Sequence, residues 1–186
     1  DAGNSAAVAS GRRNPGAGRF VNFYYNGTDI YNDVSVNYCV HEMFAEKQAD
    51  TLVIRFNDTK GIWSKWQPAA GDTVRFKEGA SDTGKMFIHS MKPENGLFTI
   101  RAMSMPKTAK IRKSKSWEGV RFLQLANEFA GNHGLTFKNY GCEDQVYPYI
   151  KQSNEGDFSL FSRLCMLEGC QMLIFDGSLL AYNEHY

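Results

Sequence analysis

Between Phe20 and Met103, apolar residues recur at every second position in short runs, and turn chemistry separates each run from the next. Val34, Val36, Tyr38 and Val40 alternate with Ser35, Asn37 and Cys39, while Leu52, Ile54 and Phe56 alternate with Val53 and Arg55. A period of two puts one set of side chains on one face, so both runs are predicted to be half-buried strands with the first-named residues inside. The punctuation agrees: "NGTD" at Asn26, "NDTKG" at Asn57, "AAGD" at Ala69, "SDTG" at Ser81 and "PENG" at Pro93 are rich in the residues that tight turns need. Further strands are expected at Thr73–Lys77, Lys85–Met91 and Leu97–Met103. This regular spacing predicts a sandwich or barrel. Within it, "CVHEMFAEKQAD" fits a loop or a short helix equally well.

At Ser116 the period changes. "SWEGVRFLQLANEFAGNHG" offers Ser116 as an N-cap, Glu118 in a first turn and Gly134 beyond the end, with Val120, Leu123, Ala126 and Ala130 repeating at three and four and Phe122 and Phe129 widening the stripe. Gly119 weakens that first turn by roughly 1 kcal/mol relative to Ala, so Trp117 is expected to pin it. "LTFKNYG" reads as a strand and "CEDQVYPYIKQ" as irregular. In "SNEGDFSLFSRLCMLEG", Ser153 or Asn154 is placed to cap a second helix, with Asp157 in the first turn and Phe158, Phe161, Leu164, Cys165 and Leu167 as the apolar side before Gly169. Asp176-Gly177 between two apolar runs signals a hairpin. The fold class expected is α+β: a barrel-like β domain over residues 20–106, a basic linker over 107–115, and a small α/β module (helix, strand, helix, hairpin) over 116–186. Residues 1–19 lack a continuous apolar core, so they read as a disordered arm or an expression remnant rather than a signal peptide.

The chain carries a formal charge of +1 with 22% charged residues, so its overall field draws it neither to nucleic acid nor to an anionic membrane. Apolar stretches such as Met172–Phe175 fall far short of the roughly 20 residues of a membrane helix. Cys39, Cys142, Cys165 and Cys170 lack the spacing of a disulfide scaffold and read as reduced thiols of a cytoplasmic setting. Cys39 and His41 lie two apart on a predicted strand, yet His89 and His133 would have to complete a zinc site from a distance, and no metal is expected.

Lys107, Lys110, Arg112, Lys113 and Lys115 place five cations in nine residues without an acid. Aromatics for base stacking are absent inside the run, so a strap joining two modules is the reading preferred over a nucleic-acid site. No G-x-S-x-G elbow, H-E-x-x-H or phosphate-binding loop occurs. Glu42, Glu46 and Asp50 could serve a glycosidase as acids, but a charge-rich connection is ordinarily a solvated face. No catalytic or cofactor-binding residue is assigned. Trp63 and Trp66, three apart before a Pro-containing turn, either cap the open end of the β domain or anchor a partner, and Trp117 is a third candidate at such an interface.

The order of these signals resembles a known family. "ADTLVIRFNDTKGIWSKWQPAAGDTVRF", "TGKMFIHSMKPENGLFTIRAMS", "RKSKSWEGVRFLQLANEFAGNHGL" and "QSNEGDFSLFSRLCMLEGCQMLIFDGSLLAY" together look like the phage late control gene D family, the baseplate hub proteins of contractile tails, related to the hub part of type VI secretion spike proteins. The likeness spans residues 20–186 and is carried best by the paired Trp followed by Gly-Asp and by "KSKSW". It implies a structural protein of the virion tail baseplate or injection particle, assembled in the bacterial cytoplasm. It also implies a homotrimeric ring of tube-like β-barrel domains, with tail tube and spike proteins as partners and without a cofactor. Such hubs carry a second tube-like domain beyond the helical block, so this chain reads as a fragment or a short variant. The alternatives are a tail-associated peptidoglycan hydrolase and a nucleic-acid binder acting through residues 107–115.

Overall fold

A computed structural model describes residues 20–44 and 49–183; the arm assigned to residues 1–19, and Glu46, lie outside them. The chain divides into two compact units, the first ending at Lys107 and the second beginning at Thr108. It is mostly β with three α-helices, consistent with α+β.

The first unit holds strands β1 (Val21–Tyr25), β2 (Thr28–Asp29), β3 (Ser35–Glu42), β4 (Thr51–Asn57), β5 (Thr73–Glu78), β6 (Ser81–Asp82), β7 (Met86–Glu94) and β8 (Leu97–Met103), with one short helix, α1 (Ile62–Trp66). They form one antiparallel sheet in the order β2-β1-β5-β7-β8-β4-β3, and β6 adds to β5. Asn26-Gly27 and Asn95-Gly96 turn their hairpins with positive φ at both residues, the geometry that matches the twist of the flanking strands. The ends of the order, β2 and β3, do not pair, so the expected barrel is not closed among the described residues. The sheet nevertheless curls around one core. Phe23 of β1 and Phe56 of β4 stand four places apart in the sheet, yet their rings lie 5.3 Å apart, and Cys39 of β3 joins the same buried cluster as Val74, Met86, Ile88 and Ile100.

Leu52, Ile54 and Phe56 are buried as their alternation requires. The other predicted face is only half right. In β3 the pairing with β4 slips between Val36 and Tyr38; beyond that bulge Cys39 and His41 turn inward and Tyr38 is exposed. One extra residue in a strand moves every later side chain to the other face, and local alternation does not reveal the slip.

The second unit contains β9 (Lys113–Arg121), α2 (Phe122–Asn132), β10 (Thr136–Tyr140), β11 (Val146–Glu155), α3 (Asp157–Leu167), β12 (Gln171–Phe175) and β13 (Ser178–Tyr182). β10 runs parallel to β13 and β12 antiparallel to it, while β9 and β11 make a separate antiparallel pair. The strand and hairpin lie where the sequence puts them, with Asp176 and Gly177 at positive φ. Phe161 centres the core, 5.1 Å from Phe122 and 6.2–6.3 Å from Phe129 and Phe137 by ring centroids.

Three expectations are corrected here. Ser116–Arg121 is strand, not the first turns of a helix, because it pairs along β11, which takes in the part of the segment read as irregular from Val146 on. The cap of α2 comes from far away instead: Asp144 Oδ1 accepts from the Leu123 N–H at 2.9 Å, and Gln145 O accepts from the Phe122 N–H at 2.8 Å. In α3 the cap is Gly156 without a side-chain bond, and Leu167 is exposed while Leu160 takes a core place. Lastly, Cys142 and Cys170 form a disulfide, leaving Cys39 and Cys165 as buried thiols. The crosslink spans 28 residues, for which loop entropy gives about 3.6 kcal/mol. Replacing both cysteines by serine is expected to lower the unfolding free energy of the second unit by about 2–4 kcal/mol, read from urea denaturation with and without reductant; parent and variant should coincide once reductant is present.

Candidate functional site

The structure separates the two tryptophans. Trp63 is 1% exposed and belongs to the core, its ring stacked on Phe98 at 5.3 Å and 4.5 Å from Phe56. Trp66, one helical turn on, is 46% exposed. It lies edge-on to Trp63 at 5.4 Å and is stacked on Tyr25 at 5.8 Å. The Tyr25 hydroxyl donates to Asp72, which also accepts from the Ala69 N–H and the Asn26 amide. Gln67 ends α1 at φ 50, its N–H bonded to Trp63 O, so the backbone beneath Trp66 is clamped in the left-handed region. Beside it Ile62 is also exposed. The product is one large aromatic face held rigid from behind, which loses little rotamer freedom when a partner covers it.

From Thr108 on, the basic run is built into the second unit. Lys107–Lys110 forms a 3-10 turn and Lys113 begins β9. Lys115 Nζ bonds Glu128 Oε1 at 2.6 Å and lies 4.7 Å over the Trp117 ring, while Trp117 Nε1 donates to Glu128 Oε2. Trp117 rests edge-on against Phe129 at 5.7 Å, so from a neighbouring strand it braces the later turns of α2, not the helix start expected of it. Lys107, Lys110 and Arg112 are exposed. Of the acids considered for catalysis, Glu42 is exposed and accepts from the Thr51 hydroxyl, and Asp50 is buried and accepts from the Phe44 N–H at 3.0 Å. His41 and Cys39 share a buried face, where burial lowers the imidazole pKa and pushes the thiol up to about 12. His89 bonds Met105 O. Among the described residues no cluster of three or more His, Cys, Asp or Glu could hold a metal.

Lys113 leads to a polar centre that sequence reading misses. Its Nζ lies 3.0 Å from Asp157 Oδ2, and the Asp157 side chain is 2% exposed. The same carboxylate accepts from Asn132 Nδ2 at 3.1 Å, Gln152 Nε2 at 2.9 Å and His133 Nε2 at 3.1 Å. A carboxylate only accepts, so the His133 proton sits on Nε2, and Nδ1 takes a bond from the Thr108 hydroxyl at 2.8 Å. Burial works to raise the Asp157 pKa, but the Gln152, Lys113 and Asn132 donors outweigh it and hold the carboxyl below its usual range. Burial depresses His133 despite the nearby carboxylate. Asp157 looks like an ordinary first-turn acid in the sequence; only the convergence of β9, α2 and β11 on the start of α3 makes it a hub.

No family model matches the chain, and no curated protein matches it in sequence. Solved structures do. The 43 kDa tail protein of prophage MuSo2 from Shewanella oneidensis superposes with a TM-score of 0.60 over 88% of this chain at 12% identity. The fold is one found in phage tail proteins. A tail protein from Neisseria meningitidis matches with a TM-score of 0.65 over 89% of this chain at 11% identity. The c3393 protein of E. coli, a type VI secretion system component described as structurally similar to the T4 bacteriophage tail proteins gp27 and gp5, matches with a TM-score of 0.52 over 97% at 12% identity. The chain spans about half the length of these proteins, 54%, 50% and 46% respectively.

Proposed function

We propose that the chain is a structural baseplate hub component of a phage tail or phage-tail-like contractile injection system, linking tail tube to central spike. The observation that carries this reading is the fold itself. A curled antiparallel sheet followed by an α/β unit, taken together, follows tail proteins and a type VI component over nearly the whole described chain. The outer edge of β3, unpaired among the described residues, and the short β2 at the other end are surfaces on which further strands can pair, as a ring of tube-like domains requires. In the assembled particle the hub is a homotrimer, located at the virion tail baseplate and assembled in the bacterial cytoplasm. Its partners are tube and spike proteins, recognised through contacts rather than chemistry.

Trp66 is the proposed partner anchor, with Trp63 holding it from within and Trp117 serving the second unit. Co-expression with the tail tube and spike proteins of the same particle is expected to yield a co-purifying complex, and Trp66→Ala to weaken it by about 2 kcal/mol, near 30-fold in Kd, with the denaturation midpoint of the free chain little changed. A chain that binds neither protein is not a hub. An unchanged Kd for Trp66→Ala moves the interface elsewhere.

A further inference from the structure

The chain passes from one compact unit to the other at Lys107/Thr108, and the turn that follows is bolted onto the polar centre of the second unit. Ala109 is buried, the Ile111 N–H closes the turn on Thr108 O at 3.0 Å, and the turn approaches the start of α3 so closely that a Cβ on Gly156 would stand 2.9 Å from Ala109 O. Among the described residues, the side-chain bond that holds the turn to the centre is Thr108 Oγ1 to His133 Nδ1. We infer that Thr108, His133 and Asp157 form an acid-sensitive latch, which holds the segment 107–112 against the second unit when His133 is neutral and releases it when His133 takes up a proton.

The chemistry of the latch follows from what faces the imidazole. Asp157 from α3 accepts its Nε2–H, Lys113 from β9 already supplies one cation to that carboxylate, Asn132 from α2 and Gln152 from β11 add neutral donors, and the Phe158 ring lies 4.8 Å away. A proton on Nδ1 turns that nitrogen from acceptor into donor, so the Thr108 hydroxyl keeps its bond only by rotating to accept. The proton also puts a second positive charge beside Lys113 in a site where one buried carboxylate already serves four donors. Turning the imidazole out to water separates the two cations and takes the Thr108 bond with it. Burial depresses the His133 pKa, so the latch stays shut at neutral pH and opens below the ordinary imidazole range.

Amide hydrogen exchange of the whole chain at about pH 7.5 and about pH 5, corrected for the intrinsic pH dependence, tests this. The peptide covering 107–112 is expected to lose about tenfold in protection at the lower pH, while peptides from α2 and β13 keep theirs. In His133→Gln, whose side chain stays neutral, the 107–112 peptide should be equally protected at both pH values. Unchanged protection in the parent, loss spread uniformly over the unit, or the same loss in His133→Gln overturns the latch. If His133→Gln does not fold, an NMR titration of the parent decides: the Ile111 amide resonance must move with the midpoint of the His133 ring, and a different midpoint overturns the proposal.

Discussion

Trp63→Ala is expected to lower the stability of the first unit by about 3–5 kcal/mol, the largest effect of any single truncation in that sheet. The indole lies among Phe23, Tyr25, Phe56 and Phe98, with ring centroids 4.5–6.4 Å away. These residues come from three separate strands, so the cavity lies where the curled sheet is held shut and cannot collapse by moving one element. A domain of this size has a net stability of about 5–15 kcal/mol, and the variant should be close to unfolded at physiological temperature. Guanidinium denaturation followed by near-ultraviolet circular dichroism would measure it. Trp66→Ala, which removes an exposed ring at the other end of α1, is expected to stay within about 1 kcal/mol of the parent. Equal losses for the two would show that Trp63 is not the centre of this core.

Asp157→Ala is expected to destabilise the second unit by about 3 kcal/mol or more, because Asn132, Gln152, His133 and Lys113 all lose their acceptor and two of them, Gln152 and His133, are buried. Asp157→Asn keeps the shape and one acceptor oxygen and should lose less. The pH dependence has a definite sign. Asp157 is depressed in the folded state, so its contribution is complete above its unfolded pKa of about 3.9 and fades as pH falls through the lower folded value. His133 is depressed as well. Its stabilising share is complete above about pH 6.5 and is lost as pH falls from there toward the folded value, because the unfolded chain takes up the proton first. Both groups therefore favour the folded unit less in acid. Urea midpoints measured from about pH 8 to about pH 3 should show the parent losing stability in two stages, the lower one absent from Asp157→Ala. A parent whose midpoint rises on acidification contradicts the assignment of both groups.

Much of this could be read from residues that act locally. Asn95-Gly96 and Asp176-Gly177 specify their hairpins because few residues tolerate positive φ at two successive positions. Leu52, Ile54 and Phe56 declare a buried face through their spacing, and Gly134 and Gly169 stop their helices in the left-handed region. The paired tryptophans stood out, but their division into one core residue and one surface residue did not, since it depends on which side of a five-residue helix meets the curled sheet. Ser116 and Glu118 made a plausible helix start that β11 overrode, and Asp144 supplied the cap from 21 residues away.

By itself, then, the chain's order of residues determined the turns, the strand and helix periods in most segments and the succession of a strand-rich block and a mixed one. These depend on each residue's own backbone preference and on its nearest neighbours. Only the tertiary structure decided the slip in β3, the Cys142–Cys170 bond, the strand at Ser116–Arg121 and the four donors around Asp157. Each of those is a contact between segments far apart in the chain, where burial and pairing energies outweigh local propensities of a few tenths of a kcal/mol.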